Sequence, residues 1–203
     1  MPSRSFDVDD FHSIRLTAAE DVQVKTGSVP SVKAKGAAGA LDRLAVTTAE
    51  GTLNIAQRRG WRSAVSVQVT VPTLRRASIA GSGGLTIDRV AGEEFRGSIA
   101  GSGDMSIAAL EVESAKFCIA GSGNVRAAGR AGRSGASIAG SGHANLGELE
   151  SRTAHVSIAG SGNVLAHAAE TADVSILGSG NVQIVGGAEC EVSRLGSGRV
   201  RCG

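Results

Sequence analysis

Aromatic side chains are almost missing from this sequence: of 203 residues four are Phe, one is Trp and none is Tyr. Stacking platforms for sugars or for single-stranded nucleic acid need exposed rings, so both modes are disfavoured and no nucleic-acid partner is expected. An excess of one charge is also lacking. Lys and Arg number 21 against 19 Asp and Glu, for a formal charge of +2, a balance that exerts no bulk pull toward polyanions or membrane surfaces. No run approaches the roughly 18–20 apolar residues of a membrane-spanning helix, so no transmembrane segment is expected. The opening MPSRSFDVDD likewise has no apolar signal core. Three prolines stand beside 29 glycines with no Gly-X-Y period, which excludes collagen and points to tight, repeated turns.

One hexapeptide dominates what is present. SIAGSG stands intact at Ser78 to Gly83, Ser98 to Gly103, Ser137 to Gly142 and Ser157 to Gly162, and variants begin at Cys118, Ser175 and Ser193. The glycine pairs of the seven copies are Gly81 and Gly83, Gly101 and Gly103, Gly121 and Gly123, Gly140 and Gly142, Gly160 and Gly162, Gly178 and Gly180, and Gly196 and Gly198. Successive first glycines lie 20, 20, 19, 20, 18 and 18 residues apart. A fixed short period marks a repeat architecture in which each unit buries its apolar face against the next.

With the first glycine of each copy as position 0, the apolar residues fall into columns. Position −2 is Ile79, Ile99, Ile119, Ile138, Ile158 and Ile176, broken only by Arg194. Position +4 runs from Leu85 to Val200, and position +6 from Ile87 to Cys202. Both glycines share this even parity, so one face of an extended strand points inward and is bent or closely packed where the glycines sit. A unit of 18–20 residues is too short for a strand, a crossover helix and a second strand, which takes about 30. It suits one coil of a single-stranded parallel β-helix, with coils stacked at roughly 4.8 Å and the seven marks spanning about 29 Å. The expected class is therefore all-β, right-handed by the rule for parallel crossovers.

Residues 1–64 carry alternating runs without the GSG mark, among them FHSIRLTA, DVQVKTG and LAVTTAEGTLNIAQ, which read as strands. They form early coils or a cap on a regular β-helix over 65–203, or else a separate β-sandwich. Helix has no sustained signal, because the Ala-rich pieces are interrupted by Gly within a few residues.

The repeat carries little chemistry of its own. A dinucleotide-binding turn needs a third glycine opening a helix, whereas Val125 and Arg126 continue a strand. A calcium-binding roll needs a carboxylate in nearly every coil, but position +3 reads Gly84, Asp104, Asn124, His143, Asn163, Asn181 and Arg199. An Asn-rich turn with stacked amides accounts for that column, and neither metal nor cofactor is expected. Ser fills position −3 in every copy but Cys118 and position +1 in all seven; Ala or Leu fills position −1. This small, uncharged strip reads as a serine ladder or as a docking face for a second sheet, hence a route to self-association.

Position −5, also outward, runs from basic to acidic: Arg76, Arg96, Lys116, Gly135, His155, Asp173 and Glu191. The three cations either fan into water or mark a site for an anionic or protein partner. The stretch QRRGWRSA, with Arg58, Arg59, Trp61 and Arg62, would extend that stripe, its single Trp serving as an anchor or folding onto the N-terminal strands.

The opening FDVDDFHSIRLTAAEDVQVKTG, followed by repeated GSG and GSGN turns, resembles the bacterial putative autotransporter adhesin, head GIN domain family over most of the chain. The resemblance implies a β-helical, non-enzymatic domain of the cell envelope, usually exported, with a structural GSG motif and no catalytic residues. A periplasmic or extracellular location follows if a signal peptide precedes this numbering; otherwise the cytoplasm is the alternative. Usual export, together with the spacing that sets Cys202 on Ile184 and Cys190 six residues beyond Ile184, past the Gly186–Gly187 turn, predicts a Cys190–Cys202 disulfide. Cys118 is expected to be a free thiol. The last coil offers a second surface for self-association.

The function expected from these readings is adhesion or partner binding by presented surfaces. Two alternatives stand beside it: a β-helical polysaccharide lyase or hydrolase, for which Asp173 and Glu191 are the stacked carboxylates, and a structural scaffold that self-associates.

Overall fold

The computed structural model describes residues 2–17, 19–57 and 65–203. The chain begins with β1 (Ser3–Phe6), β2 (Ser13–Thr17), β3 (Asp21–Thr26) and β4 (Ser31–Lys35). A single helical turn, α1 (Ala38–Leu41), precedes the hairpin strands β5 (Leu44–Ala49) and β6 (Thr52–Gln57). Then come β7 (Ser66–Val71), β8 (Arg76–Gly81) and four long bent strands, β9 (Gly84–Gly101), β10 (Asp104–Gly121), β11 (Asn124–Gly140) and β12 (His143–Gly160). The last coils are split into β13 (Asn163–His167), β14 (Thr171–Gly178), β15 (Asn181–Val185), β16 (Glu189–Leu195) and β17 (Arg199–Cys202).

Alternation and period together close these strands into a parallel β-solenoid of about six turns. Each GSG mark stacks on the one before it: Gly81 pairs with Gly101, Gly101 with Gly121, Gly121 with Gly140, Gly140 with Gly160 and Gly160 with Gly178. The isoleucines at −2 from Ile79 to Ile176 are all buried and form a continuous spine. Burying each contributes about 1.5–3 kcal/mol relative to exposure. Volume is balanced between adjacent coils. Phe95 and Phe117 pack with ring centroids 6.1 Å apart, and Gly97 makes room for them, because a Cβ there would lie 2.8 Å from Phe117 Cδ1 and 2.9 Å from Met105 Sδ.

The two glycines of the motif serve different ends. The first adopts positive φ, 131° at Gly101 and 126° at Gly121, which a side chain disfavours. The second is buried and lies against the coil below, so its missing Cβ sets the stacking distance.

Coil order along the axis departs from chain order at the N-terminal end. Strand β2 lies between β6 and β8, and β3 between β7 and β9, all parallel. The coil made by β6 and β7 is therefore outermost, although β2 and β3 precede it in sequence. Antiparallel strands cover it, β5 on β6 and β4 on β7, with β1 added to β4. The β5–β6 hairpin turns through Glu50 and Gly51 at φ 49° and 69°, both left-handed as a two-residue hairpin loop requires.

Further along, coils shorten where β12 is followed by β13 and β14. Buried Ser151 marks the step: its hydroxyl meets Ser134 Oγ at 2.9 Å and donates to the His167 carbonyl. In the last coil Cys190 stacks on Ala172, and Cys202 on Ile184. The two cysteines are joined by a disulfide across a Cα–Cα distance of 6.5 Å, and Cys118 is free and exposed. Arg194, at the position held elsewhere by Ile, donates from Nη1 to Gly198 O at 2.9 Å within the same coil.

Candidate functional site

Outward positions of the strand that ends in each GSG mark form one wall. The −5 column runs along it in register: Arg76 pairs with Arg96, Arg96 with Lys116, Lys116 with Gly135, Gly135 with His155, His155 with Asp173 and Asp173 with Glu191. A trough of about 1010 Å³ follows this column from Lys116 to Glu191, lined also by Arg133, Glu189, Cys118 and Ser137. A smaller cleft of about 440 Å³ holds Arg75, Arg76 and Arg96 with Glu93 and Glu94. The −5 column thus presents cations at one end, where Glu93 and Glu94 stand beside them, and carboxylates at the other.

The basic end is organised around one carboxylate. Arg96 Nε donates to Glu94 Oε1 at 2.7 Å. That hydrogen bond, reinforced by the charges of Arg96, Lys116 and Arg76, holds the Glu94 carboxyl below the usual carboxylate range, against a smaller opposing effect of burial. At the other end His155 Nδ1 lies 3.2 Å from Asp173 Oδ2, both side chains 61% exposed. Gly135 separates the two ends, and a Cβ there would make only ordinary contact with Lys116 Cγ at 3.7 Å.

Beyond the trough the wall is paved with small residues. The serines stack in register, and their side-chain hydrogen bond among the described residues is from Ser78 Oγ to Ile14 O at 3.3 Å. Position −1 is Ala from Ala80 to Ala159, then Leu177 and Leu195, 56% and 71% exposed. On the adjoining wall the +3 column carries side-chain hydrogen bonds between coils. Asn124 Nδ2 donates to Asp104 Oδ1 at 2.8 Å, Asn181 Nδ2 donates to Asn163 Oδ1 at 2.9 Å, and Asn163 Nδ2 lies 3.1 Å from His143 Nδ1.

Arg76, Arg96 and Lys116 are therefore neighbours, whereas Arg58, Arg59, Trp61 and Arg62 lie outside the described residues. Sequence reasoning missed Glu94, Arg133 and Glu189. All three stand at position −7, two residues before the −5 column and of the same parity, so extending the column by one pair would have found them. Among the described residues no group of three or more His, Cys, Asp or Glu is placed to hold a metal ion.

Residues 10–188 match the family described as putative auto-transporter adhesin, head GIN domain. The chain belongs to that family. Solved structures share this head GIN domain's fold. A putative adhesin from Bacteroides fragilis NCTC 9343 is 19% identical over 99% of this chain and 96% of its own, with a TM-score of 0.90. A putative adhesin from Parabacteroides merdae ATCC 43184 is 17% identical over 99% and 95%, at 0.79. A putative lipid binding protein from Parabacteroides distasonis ATCC 8503 is 21% identical over 99% and 96%, at 0.78. At these identities the likeness establishes the solenoid and nothing finer. No protein of curated function matches the chain significantly. No helix of the head GIN domain is long and apolar enough to cross a membrane among the described residues.

Proposed function

We propose that this head GIN domain is a non-enzymatic adhesion module of the cell envelope, working outside the cytoplasm, and that it engages its partner through the charge-graded wall. The observation that carries this reading is the in-register −5 column, with Arg76, Arg96 and Lys116 at one end and Asp173 and Glu191 at the other. A stack of like charges costs little while solvated and becomes favourable when a complementary surface covers it. The family's adhesin label agrees with such a role. Asp173 supports recognition over acid–base chemistry: its carboxylate and its His155 partner are both well exposed, unlike a general acid tuned by desolvation.

The test uses fluorescent beads coated with the full chain, scored for attachment to surfaces bearing purified lipopolysaccharide, peptidoglycan or extracellular-matrix protein, and to one another. Attachment to at least one of these is expected, and the triple substitution Arg76→Glu, Arg96→Glu and Lys116→Glu should abolish it. Beads that attach to nothing, or that attach equally well after charge reversal, would overturn the reading.

A further inference from the structure

We propose that the partner of this wall is a second copy of the same chain, docked face to face with its axis reversed. The inference rests on the reading of the wall as the adhesive surface. The −5 column has seven members with Gly135 at its centre, and the two outer of its three pairs about that centre are opposite in charge, while the inner pair is not. Arg76 and Glu191 are the first and last members, Arg96 and Asp173 the second and sixth, Lys116 and His155 the third and fifth. A two-fold axis parallel to the strands, at the level of Gly135, reverses coil order while keeping each column opposite itself. It therefore sets Arg76 of one copy against Glu191 of the other and Arg96 against Asp173, each twice. Such an isologous contact is self-complementary and closes as a dimer.

The neighbouring columns fit the same operation. At position −1 it places the exposed Leu195 opposite Ala80 and Leu177 opposite Ala100, so each large apolar group meets a small one. The serines at −3 and the alanines at −1 let the two sheets approach closely in the aligned packing of sandwiches. Columns −7 to −1 span about 20 Å and the stack about 29 Å, so each copy would bury roughly 600 Å² and the pair about 1,200 Å². That lies at the low end for specific interfaces, which makes the dimer weak and reversible. Many such contacts in parallel between two surfaces give firm attachment, as adhesion requires. The exposed charge pairs add little affinity and chiefly set orientation and register. One like-charge contact falls on the axis, between Arg133 and its own copy.

Sedimentation equilibrium of the full chain tests this. A monomer–dimer equilibrium in the micromolar range is expected. Arg96→Asp and Asp173→Arg, both at exposed positions, should each weaken the dimer at least about tenfold. An equimolar mixture of the two variants should restore it, since Asp then faces Arg at both sites, and that recovery also shows that each variant is folded. Arg133→Ser should tighten the dimer several-fold. A wild-type chain that stays monomeric at several hundred micromolar, single variants that dimerise as well as wild type, or a mixture that fails to recover would each overturn the proposal. If the chain is monomeric while coated beads still attach to a foreign surface through the basic column, the adhesive reading stands and the second copy is excluded as its partner.

Discussion

Gly103 lies so closely over Gly83 that a Cβ built on it would stand 2.5 Å from the Gly83 carbonyl oxygen and 2.7 Å from Ile79 Cγ2. The same relation recurs up the stack, where Gly123, Gly142 and Gly162 each meet the isoleucine and the glycine of the coil below. Gly103→Ala should therefore overpack the interior and cost about 1–3 kcal/mol in urea unfolding. Gly121→Ala carries the added strain of φ 126°, of order 1–3 kcal/mol. Gly39→Ala, in α1 with nothing within 4 Å of an added Cβ, should be neutral or stabilise by up to about 1 kcal/mol. Equal effects at Gly39 and Gly103 would refute this account of the motif.

The amide column makes its own prediction. Asn163 accepts hydrogen bonds at Oδ1 from both Nδ2 and the backbone N–H of Asn181, at 2.9 and 3.2 Å. Asn163→Ala removes both acceptances, while the Asn181 N–H keeps its bond to Gly162 O at 3.2 Å, so a loss of about 1 kcal/mol is expected. Asn145→Ala, whose Oδ1 accepts a single 3.4 Å bond from Gly147 N, serves as the control and should cost less than half as much.

At the C-terminal end, Cys190 and Cys202 are 12 residues apart and clamp the last coil across its interior. Closing a loop of this size contributes about 3 kcal/mol by chain entropy. The Cys190→Ser and Cys202→Ser pair should lose that stability locally: amides of β16 and β17 should exchange hydrogen much faster while those of β10 and β11 keep their protection. Uniform loss of protection along the stack would show that the clamp acts on the whole solenoid.

Glu94 provides a titration test. Because Arg96 donates to it and Lys116 and Arg76 lie nearby, its carboxyl should titrate below the ordinary carboxylate range in carbon-detected NMR. The favourable interaction is complete above that range and is lost as pH falls through the lowered value, so acid should release Arg96 first at this site. Arg96→Gln should return the Glu94 midpoint most of the way to normal. A midpoint unchanged by that substitution would mean that Arg96 is not the cause.

Much of this architecture is legible in residue order alone, because both signals that specify it are local. Alternation with period two decides which face of a strand is inward, and a repeat of 18–20 residues decides that coils must stack in register. From those two facts Ile79, Ile99 and Ile119 belong to one buried spine, and Arg76, Arg96 and Lys116 to one outward column. The placement of Cys202 over Ile184 follows from the same numbering. What order along the chain could not supply is everything that depends on pairings between distant strands. The insertion of β2 and β3 behind β6 and β7, and the antiparallel cover of β5, β4 and β1, have no repeat to announce them. The buried Ser134–Ser151 pair that accompanies coil shortening is likewise a product of stacking. The trough from Lys116 to Glu191 belongs here too. Charges can be counted in a column before folding, but whether they line a trough is decided by how each coil bends over the next, which is a property of the packed stack.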